Sequence, residues 1–151
     1  MVRPEGEGAR HIVVGVDGSG PSRAALAWAI RQAGLTGAAV DAVIAWHQPS
    51  AYRYPLPLAP ETSARELATR VLESTIYEVT QEFGGQVPRI TPRVEEGNAA
   101  SVLLDAAAGA DLLVVGNRGH GAFTQALLGS TSQHCLHHAA CPVVVMRDGR
   151  A

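Results

Sequence analysis

The stretch HIVVGVDGSGPSRAALAWAIRQAG, residues 11–34, decides the fold class. It opens with a short β-branched apolar run that ends in turn residues, which predicts a buried strand. A helix-periodic segment follows, with Ser19 or Gly20 as its cap, Pro21 in its first turn and Gly34 as its stop. The stretch therefore predicts a strand–turn–helix unit.

The same alternation of strand and helix patterns continues along the chain. Further strands are predicted over residues 38–47, 88–97, 111–116 and 141–147, and further helices over residues 61–85, 99–110 and 129–140. Strands that are apolar along their length and alternate with helices indicate a parallel sheet that is covered on both faces. We predict one doubly wound α/β domain.

Three segments carry more specific expectations. The apolar stripe of the helix over residues 61–85 is predicted to include Leu67, Val71, Tyr77 and Val79. Pro92 indicates an edge strand, because proline cannot donate to a ladder. Residues 48–60 carry four prolines and are predicted to form a long loop, of the kind that often binds ligands.

Composition and charge exclude several function classes. Lys+Arg is 12 against 14 for Asp+Glu, so the net charge is −2 and the basic excess of a nucleic-acid binder is missing. All 12 cations are arginines, which excludes a lysine-dependent P-loop and a Schiff-base enzyme. No apolar run approaches the roughly 20 residues of a membrane span. Residues 1–10 lack the apolar core of a signal peptide, so we expect a cytoplasmic protein.

Candidate binding residues follow the first and fourth predicted strands. Ligands of such sheets bind beyond the carboxyl ends of the strands, where the strand order reverses. Asp17 follows the first strand, and Gly116 ends the fourth, where a glycine lets the chain leave sharply. Gly119 and Gly121 can adopt positive φ and expose backbone N–H groups.

The predicted helix after this loop begins Gly129-Ser130-Thr131. Such a helix start offers unpaired N–H groups, a positive dipole end and two hydroxyls, which together favour an anion. Arg118 adds a charge that can reach a phosphate. The alternative is that the glycines only turn corners and that Ser130 or Thr131 only caps the helix.

These motifs resemble the universal stress protein family. Gly116, Gly119 and Gly129-Ser130 match the G-x2-G-x9-G-[S/T] pattern of its ATP-binding branch without a gap. The resemblance covers residues 10–147 and leaves short tails at residues 1–9 and 148–151. It implies a Rossmann-like sheet of five parallel strands in the order 3-2-1-4-5.

The resemblance also implies roles for individual residues. Asp17, with the backbone of Gly15 and Val16, is expected beside the adenosine, although an Asp-Gly turn alone would also explain it. Trp46 is expected near the adenine, and a core anchor explains it equally well. The residues expected around the ribose and phosphates are Gly116, Arg118, Gly119, Gly121, Gly129, Ser130 and Thr131.

The function implied is a nucleotide-dependent regulatory or stress-response protein that binds ATP, with Mg²⁺. A slow ATPase or phosphotransferase of the same fold is the alternative, and any hydrolysis is expected to be weak. A partner-binding domain with an empty loop is a third option. The resemblance further implies a homodimer through the edge strand Val143–Met146. A regulatory protein partner is expected, but no nucleic acid and no membrane.

The last predicted helix also holds His134, Cys135, His137 and His138, and Cys141 follows it. This spacing does not assemble the four ligands of a structural zinc site, so no metal is expected here. The two cysteines are expected to be core residues rather than a disulfide.

Overall fold

The computed structural model of the chain describes residues 10–48, 61–119 and 128–148. Its described strands are β1 (His11–Gly15), β2 (Ala39–Trp46), β3 (Ile90–Glu96), β4 (Leu112–Gly116) and β5 (Val143–Met146). Its described helices are α1 (Gly20–Thr36), α2 (Glu61–Thr80), α3 (Ala99–Ala107) and α4 (Ser130–His138), and a 3₁₀ turn, Gln81–Phe83, follows α2. The predicted alternation of strands and helices is confirmed.

The strands form one parallel sheet in the order β3-β2-β1-β4-β5. The predicted doubly wound topology is therefore confirmed. β1 lies at the centre, between β2 and β4, and β3 and β5 form the two edges. Pro92 lies opposite Ala42 on edge strand β3, as expected for a residue that has no N–H to donate.

Side chains alternate between the two faces of the sheet, as the period of a strand requires. The core cluster on one face joins Val14 of β1 to Leu26 of α1 and Leu72 of α2. The cluster on the other face joins Val13 of β1 to Leu103 of α3 and Cys135 of α4. Each face thus carries its own helix pair.

Helix α1 begins as predicted but ends later. Ser19 is its N-cap, with Oγ accepting from the N–H of Ser22, and Pro21 stands in the first turn. The prediction that Gly34 stops the helix was wrong, because α1 continues to Thr36. Gly37 has φ 76° and is the residue that supplies the left-handed C-cap.

Helix α2 buries a stripe that matches the predicted one only in part: Val79 is buried and Val71 packs against the core as predicted. Leu67 and Tyr77 are 60% and 66% exposed, so their assignment to the stripe was wrong. The buried residues of this helix are Ala68, Leu72, Thr75 and Val79. Thr75 joins them because its hydroxyl donates to the carbonyl of Val71 at 2.7 Å. The buried stripe therefore keeps helical spacing but includes a small residue, Ala68, and a polar one, Thr75.

Several expectations fall on residues outside the described ranges. These are the tails at residues 1–9 and 149–151, the loop over residues 49–60, and Gly121. Within the described part of the chain, no helix combines the length and the apolar character that crossing a membrane requires.

The corrected stripe of α2 predicts opposite responses of two leucines. Leu72→Ala removes a fully buried side chain and should lower the free energy of unfolding by about 2–5 kcal/mol. Leu67→Ala, on the exposed side of the same helix, should change it by less than about 0.5 kcal/mol. Urea denaturation of both variants measures the difference. Equal losses would contradict the orientation of α2.

Candidate functional site

The carboxyl ends of β1 and β4 lie side by side at the centre of the sheet, where the strand order reverses. β1 leads into α1 on one face, and α4 packs on the other face. Segments that leave neighbouring strands toward opposite faces open a crevice between them. Both sequence-predicted clusters begin at this crevice.

A hydrogen-bonded turn after β1 positions Asp17. Its N–H donates to Ser22 Oγ at 3.3 Å, and its Oδ1 accepts from the N–H of Ser19 at 2.9 Å and from the Ser19 hydroxyl. Gly18 completes the turn with φ 82°. The other carboxylate oxygen, Oδ2, faces Gly119 across the crevice. Asp17 thus forms the turn and still presents an oxygen to the loop after β4.

Gly116 is a glycine because β4 ends in contact with α1. A Cβ on Gly116 would lie 2.7 Å from Cβ of Pro21 and 2.8 Å from its carbonyl carbon. The main chain of Pro21 cannot move away without disturbing the first turn of α1. The carbonyl of Gly116 in turn accepts from Ser132 Oγ on α4. This residue therefore joins the two helices that flank the crevice.

Backbone hydrogen bonds bring the start of α4 to the loop after β4. The N–H of Gly129 donates to the carbonyl of Asn117 at 2.6 Å. A Cβ on Gly129 would lie 3.5 Å from Cα of Arg118. Gly129 and Arg118 are 11 positions apart in the chain but adjacent in space. The two halves of the predicted motif are therefore brought together.

Gly119 is required for a different reason from the predicted one. It does not adopt positive φ, so that expectation was wrong. A Cβ at Gly119 would lie 2.6 Å from Oδ2 of Asp17, closer than atoms approach without moving. The glycine therefore permits the loop to lie against the Asp17 carboxylate.

Helix α4 starts at a glycine cap. Its N-cap is Gly129, and among the described residues no side chain forms a capping hydrogen bond there, so neither Ser130 nor Thr131 acts as the cap. By contrast, Ser19 caps α1 and Asn98 caps α3. The first N–H groups of a helix have no partner within the helix. The start of α4 therefore keeps donors and the positive dipole end available to an anion.

A cleft with a cavity volume of about 80 Å³, open to solvent on one side, lies between these segments. Seven of the predicted residues line it: Gly15, Val16, Asp17, Gly116, Arg118, Gly119 and Thr131. Gly129 and Ser130 do not line the cleft, although Gly129 lies against its loop.

Trp46 does not reach the cleft. Its side chain packs on the α1/α2 face, against the core cluster there. Its carbonyl accepts from the N–H of Gly97 at 2.8 Å. The residues of β2 that line the cleft are Val43 and Ala45, on the opposite face. The Trp46 side chain is therefore a core anchor, which was the second of the two interpretations.

Sequence reasoning missed the apolar wall of the cleft. Val43 and Ala45 share a face by strand alternation, which could have been read from the sequence. Ala99 and Leu103 of α3 also line the cleft, and nothing in the sequence pairs this helix with β1. A Cβ on Gly15 would lie 2.8 Å from Cδ1 of Leu103, so the end of β1 lies directly against this side chain of α3.

The two cysteines lie away from the cleft. Cys135 is fully buried in the α3/α4 cluster, and Cys141 packs against that cluster. Burial raises the pKa of both thiols, which keeps them in the neutral form. Over the described residues, no three His, Cys, Asp or Glu side chains are placed together as metal ligands.

Comparison with known proteins now assigns the chain to a family. The sequence profile of the universal stress protein family matches residues 8–147. The chain belongs to this family. The strands, the crevice and the loop described above all lie inside the matched segment.

A universal stress protein of Mycolicibacterium smegmatis is 35% identical over 142 residues. The match covers 89% of this chain and 47% of that protein. The chain thus spans about half the length of the curated universal stress proteins it matches.

Solved structures of universal stress proteins share the fold. One, determined in complex with cAMP, has a TM-score of 0.69 at 23% identity and covers 91% of this chain and 96% of its own. Another, from Arabidopsis thaliana with AMP bound, has a TM-score of 0.59 at 19% identity and covers 91% of both chains.

The contact of Gly116 with α1 predicts a stability difference between two glycines. Gly116→Ala should lower the free energy of unfolding by about 1–3 kcal/mol, because the added methyl overlaps the main chain of Pro21. Gly34→Ala should raise it by about 0.5–1 kcal/mol, because that site is helical and has open space. Thermal and urea unfolding measure both. A neutral Gly116→Ala would contradict the close approach.

Proposed function

We propose that this universal stress protein domain binds an adenine nucleotide in the cleft between β1 and β4, and that ATP with Mg²⁺ is the ligand. The proposal rests on one observation, which is that a single cleft has an apolar end and a polar end. The walls beside β2 and α3 are apolar, and the other end is formed by Arg118, Gly119 and the start of α4. A nucleotide has the same order of parts, from base to phosphates.

The apolar end of the cleft suits a base. Val16, Val43, Ala45 and Leu103 line it, and three of these side chains are small or β-branched. The N–H of Val16 is already bonded to the carbonyl of Val43 at 2.8 Å, so this wall is held rigidly. A flat aromatic ring can be buried there without leaving those two backbone groups unpaired.

The polar end suits phosphates. Thr131 contributes a hydroxyl at the start of α4, whose N–H groups and dipole favour negative charge, whereas the Ser132 hydroxyl is bonded to Gly116. Arg118 and Gly119 border the same end. Ser130 starts the helix itself, so we assign its main-chain N–H to the outer phosphates, and Gly129, whose N–H is bonded to Asn117, holds the loop against this helix start. Such a donor set discriminates a phosphate from a neutral ligand.

Mg²⁺ fits this site because the Asp17 carboxylate, which the family resemblance puts beside the adenosine, also faces the loop after β4 that we assign to the phosphates. Asp17 is the acidic residue of the described cleft lining, and its Oδ2 faces Gly119. Two anions without a cation between them repel, whereas Mg²⁺ accepts carboxylate and phosphate oxygens together. When bound, the cation supplies charge neutralisation, and Asp17 orients it.

The choice of an adenine nucleotide draws support from the relatives. One related structure is a complex with cAMP, and another has AMP bound. ATP is proposed on the glycine pattern of Gly116, Gly119, Gly129 and Ser130, which provides donors beyond a first phosphate. Slow hydrolysis of the bound ATP is the alternative. Among the described residues that line the cleft, Asp17 is the one carboxylate that could take part in it.

A regulatory role follows from a contact between the loop and the edge of the sheet. The N–H of Asn117, where the loop begins, donates to the carbonyl of Met146 at 2.7 Å. Met146 ends β5, whose four residues are all half-buried at the edge of the sheet. We propose that this edge pairs with a second copy and that occupancy of the loop changes the pairing. Binding shifts such an equilibrium only by its differential affinity.

Calorimetric titration with Mg·ATP tests the binding site. Wild-type protein freed of nucleotide should take up one ATP per chain. Gly119→Val should bind at least about tenfold more weakly, about 1.4 kcal/mol, because its side chain displaces Asp17 and shields the loop. Gly34→Ala, far from the cleft, should bind as the wild type does.

Three outcomes of this titration decide between the options. Folded wild-type protein that binds neither ATP, AMP nor cAMP would contradict the proposal. Binding of cAMP or AMP alone would correct the choice of nucleotide. ATP that is bound and remains intact for hours would exclude the slow ATPase.

The edge strand predicts a homodimer. Light scattering of the purified chain should give a mass near twice 15.8 kDa, because β5 is an edge of the described sheet and a second copy can pair with such an edge. A mass near 15.8 kDa at every concentration would contradict the dimer and would indicate an edge guarded by Arg147 and its neighbours.

A further inference from the structure

Helix α4 ends in histidines that the proposed nucleotide site does not use. His134 and His138 are four positions apart, so they lie on the same side of the helix. Their ring centroids are 4.6 Å apart, and the ring planes are inclined by 38°. Both residues are exposed to solvent. Two imidazoles are thus held together at the surface.

This spacing suits two ligands of one metal ion. A metal binds imidazole nitrogen at about 2.0–2.1 Å, so two nitrogens in adjacent coordination positions lie about 3 Å apart. Rings whose centroids are 4.6 Å apart can bring one nitrogen each to that separation by small side-chain rotations. Because the two residues share one helix, binding of the metal ion restricts rotation about only a few side-chain bonds.

The position on the helix favours a cation. His138 lies in the last turn of α4, where the negative end of the helix dipole lies, and His134 lies one turn before it. Exposure leaves the remaining coordination positions to water. The described residues bring no third His, Cys, Asp or Glu ligand to these two, so the site is open rather than closed.

We propose that His134 and His138 form a two-histidine surface site for a divalent transition-metal ion, with Cu²⁺ and Ni²⁺ preferred over Zn²⁺. Imidazole suits all three ions, and the tetragonal geometry of Cu²⁺ and Ni²⁺ accepts two adjacent nitrogens with water in the other positions. Zn²⁺ sites in proteins have three or four protein ligands, more than the two histidines supply. The site is independent of nucleotide binding, because the described cleft lining contains neither histidine.

Ni²⁺ alone is the probe for the test, applied to a chain without a histidine tag. Equilibrium dialysis should give one tightly bound Ni²⁺ per wild-type chain. His134→Ala and His138→Ala should each lower the affinity at least about tenfold, since loss of even an outer-shell partner costs that much. Ni²⁺ should also raise the melting temperature of the wild type and much less that of either variant, because it binds the folded helix.

His137→Ala is the matched control. Its ring lies on the same helix end, is exposed, and is 6.5 Å from that of His138 in an edge-on arrangement. The proposal requires this variant to retain the affinity and the thermal shift of the wild type. Equal loss in all three variants, or no saturable Ni²⁺ binding by the wild type, would overturn it.

Discussion

The approach of β4 to the first turn of α1 is the contact on which the crevice depends. Gly116 has no side chain, so the end of β4 reaches the backbone of Pro21. The carbonyl of Gly116 accepts from Ser132 of α4 at the same time. Because one residue contacts both helices, the distance between them is set at the point where the strand order reverses. A larger residue there would separate α1 from the sheet and widen the crevice.

The loop after β4 depends on this anchor. Asn117 follows directly, donates its N–H to β5 and accepts from the N–H of Gly129. The start of α4 therefore sits next to Arg118 although 11 positions separate Gly129 from it. β5, Asn117 and the start of α4 are therefore joined by hydrogen bonds. In the proposed function, these bonds connect a ligand in the cleft with the surface at β5.

Local patterns predicted the elements well and their details less well. Strand alternation, caps and Pro92 placed β1, the start of α1 and the edge strand β3 correctly. Gly34 was mistaken for a helix stop because a glycine in open space is tolerated inside a helix. In α2 the stripe was sought in large apolar residues, whereas packing selected Ala68 and Thr75. Size and polarity alone do not tell which side of a helix meets the sheet.

The amino-acid sequence by itself determined the order of strands and helices, the parallel sheet and the glycine pattern that marks the family. These features depend on local periodicity and on spacing along the chain, which residues close in sequence express. Only the tertiary structure decided that Trp46 lies on the far face, that Leu103 walls the cleft and that Gly119 makes room for Asp17. Those contacts join distant segments, and their geometry is set by how β1, β4 and the helices pack.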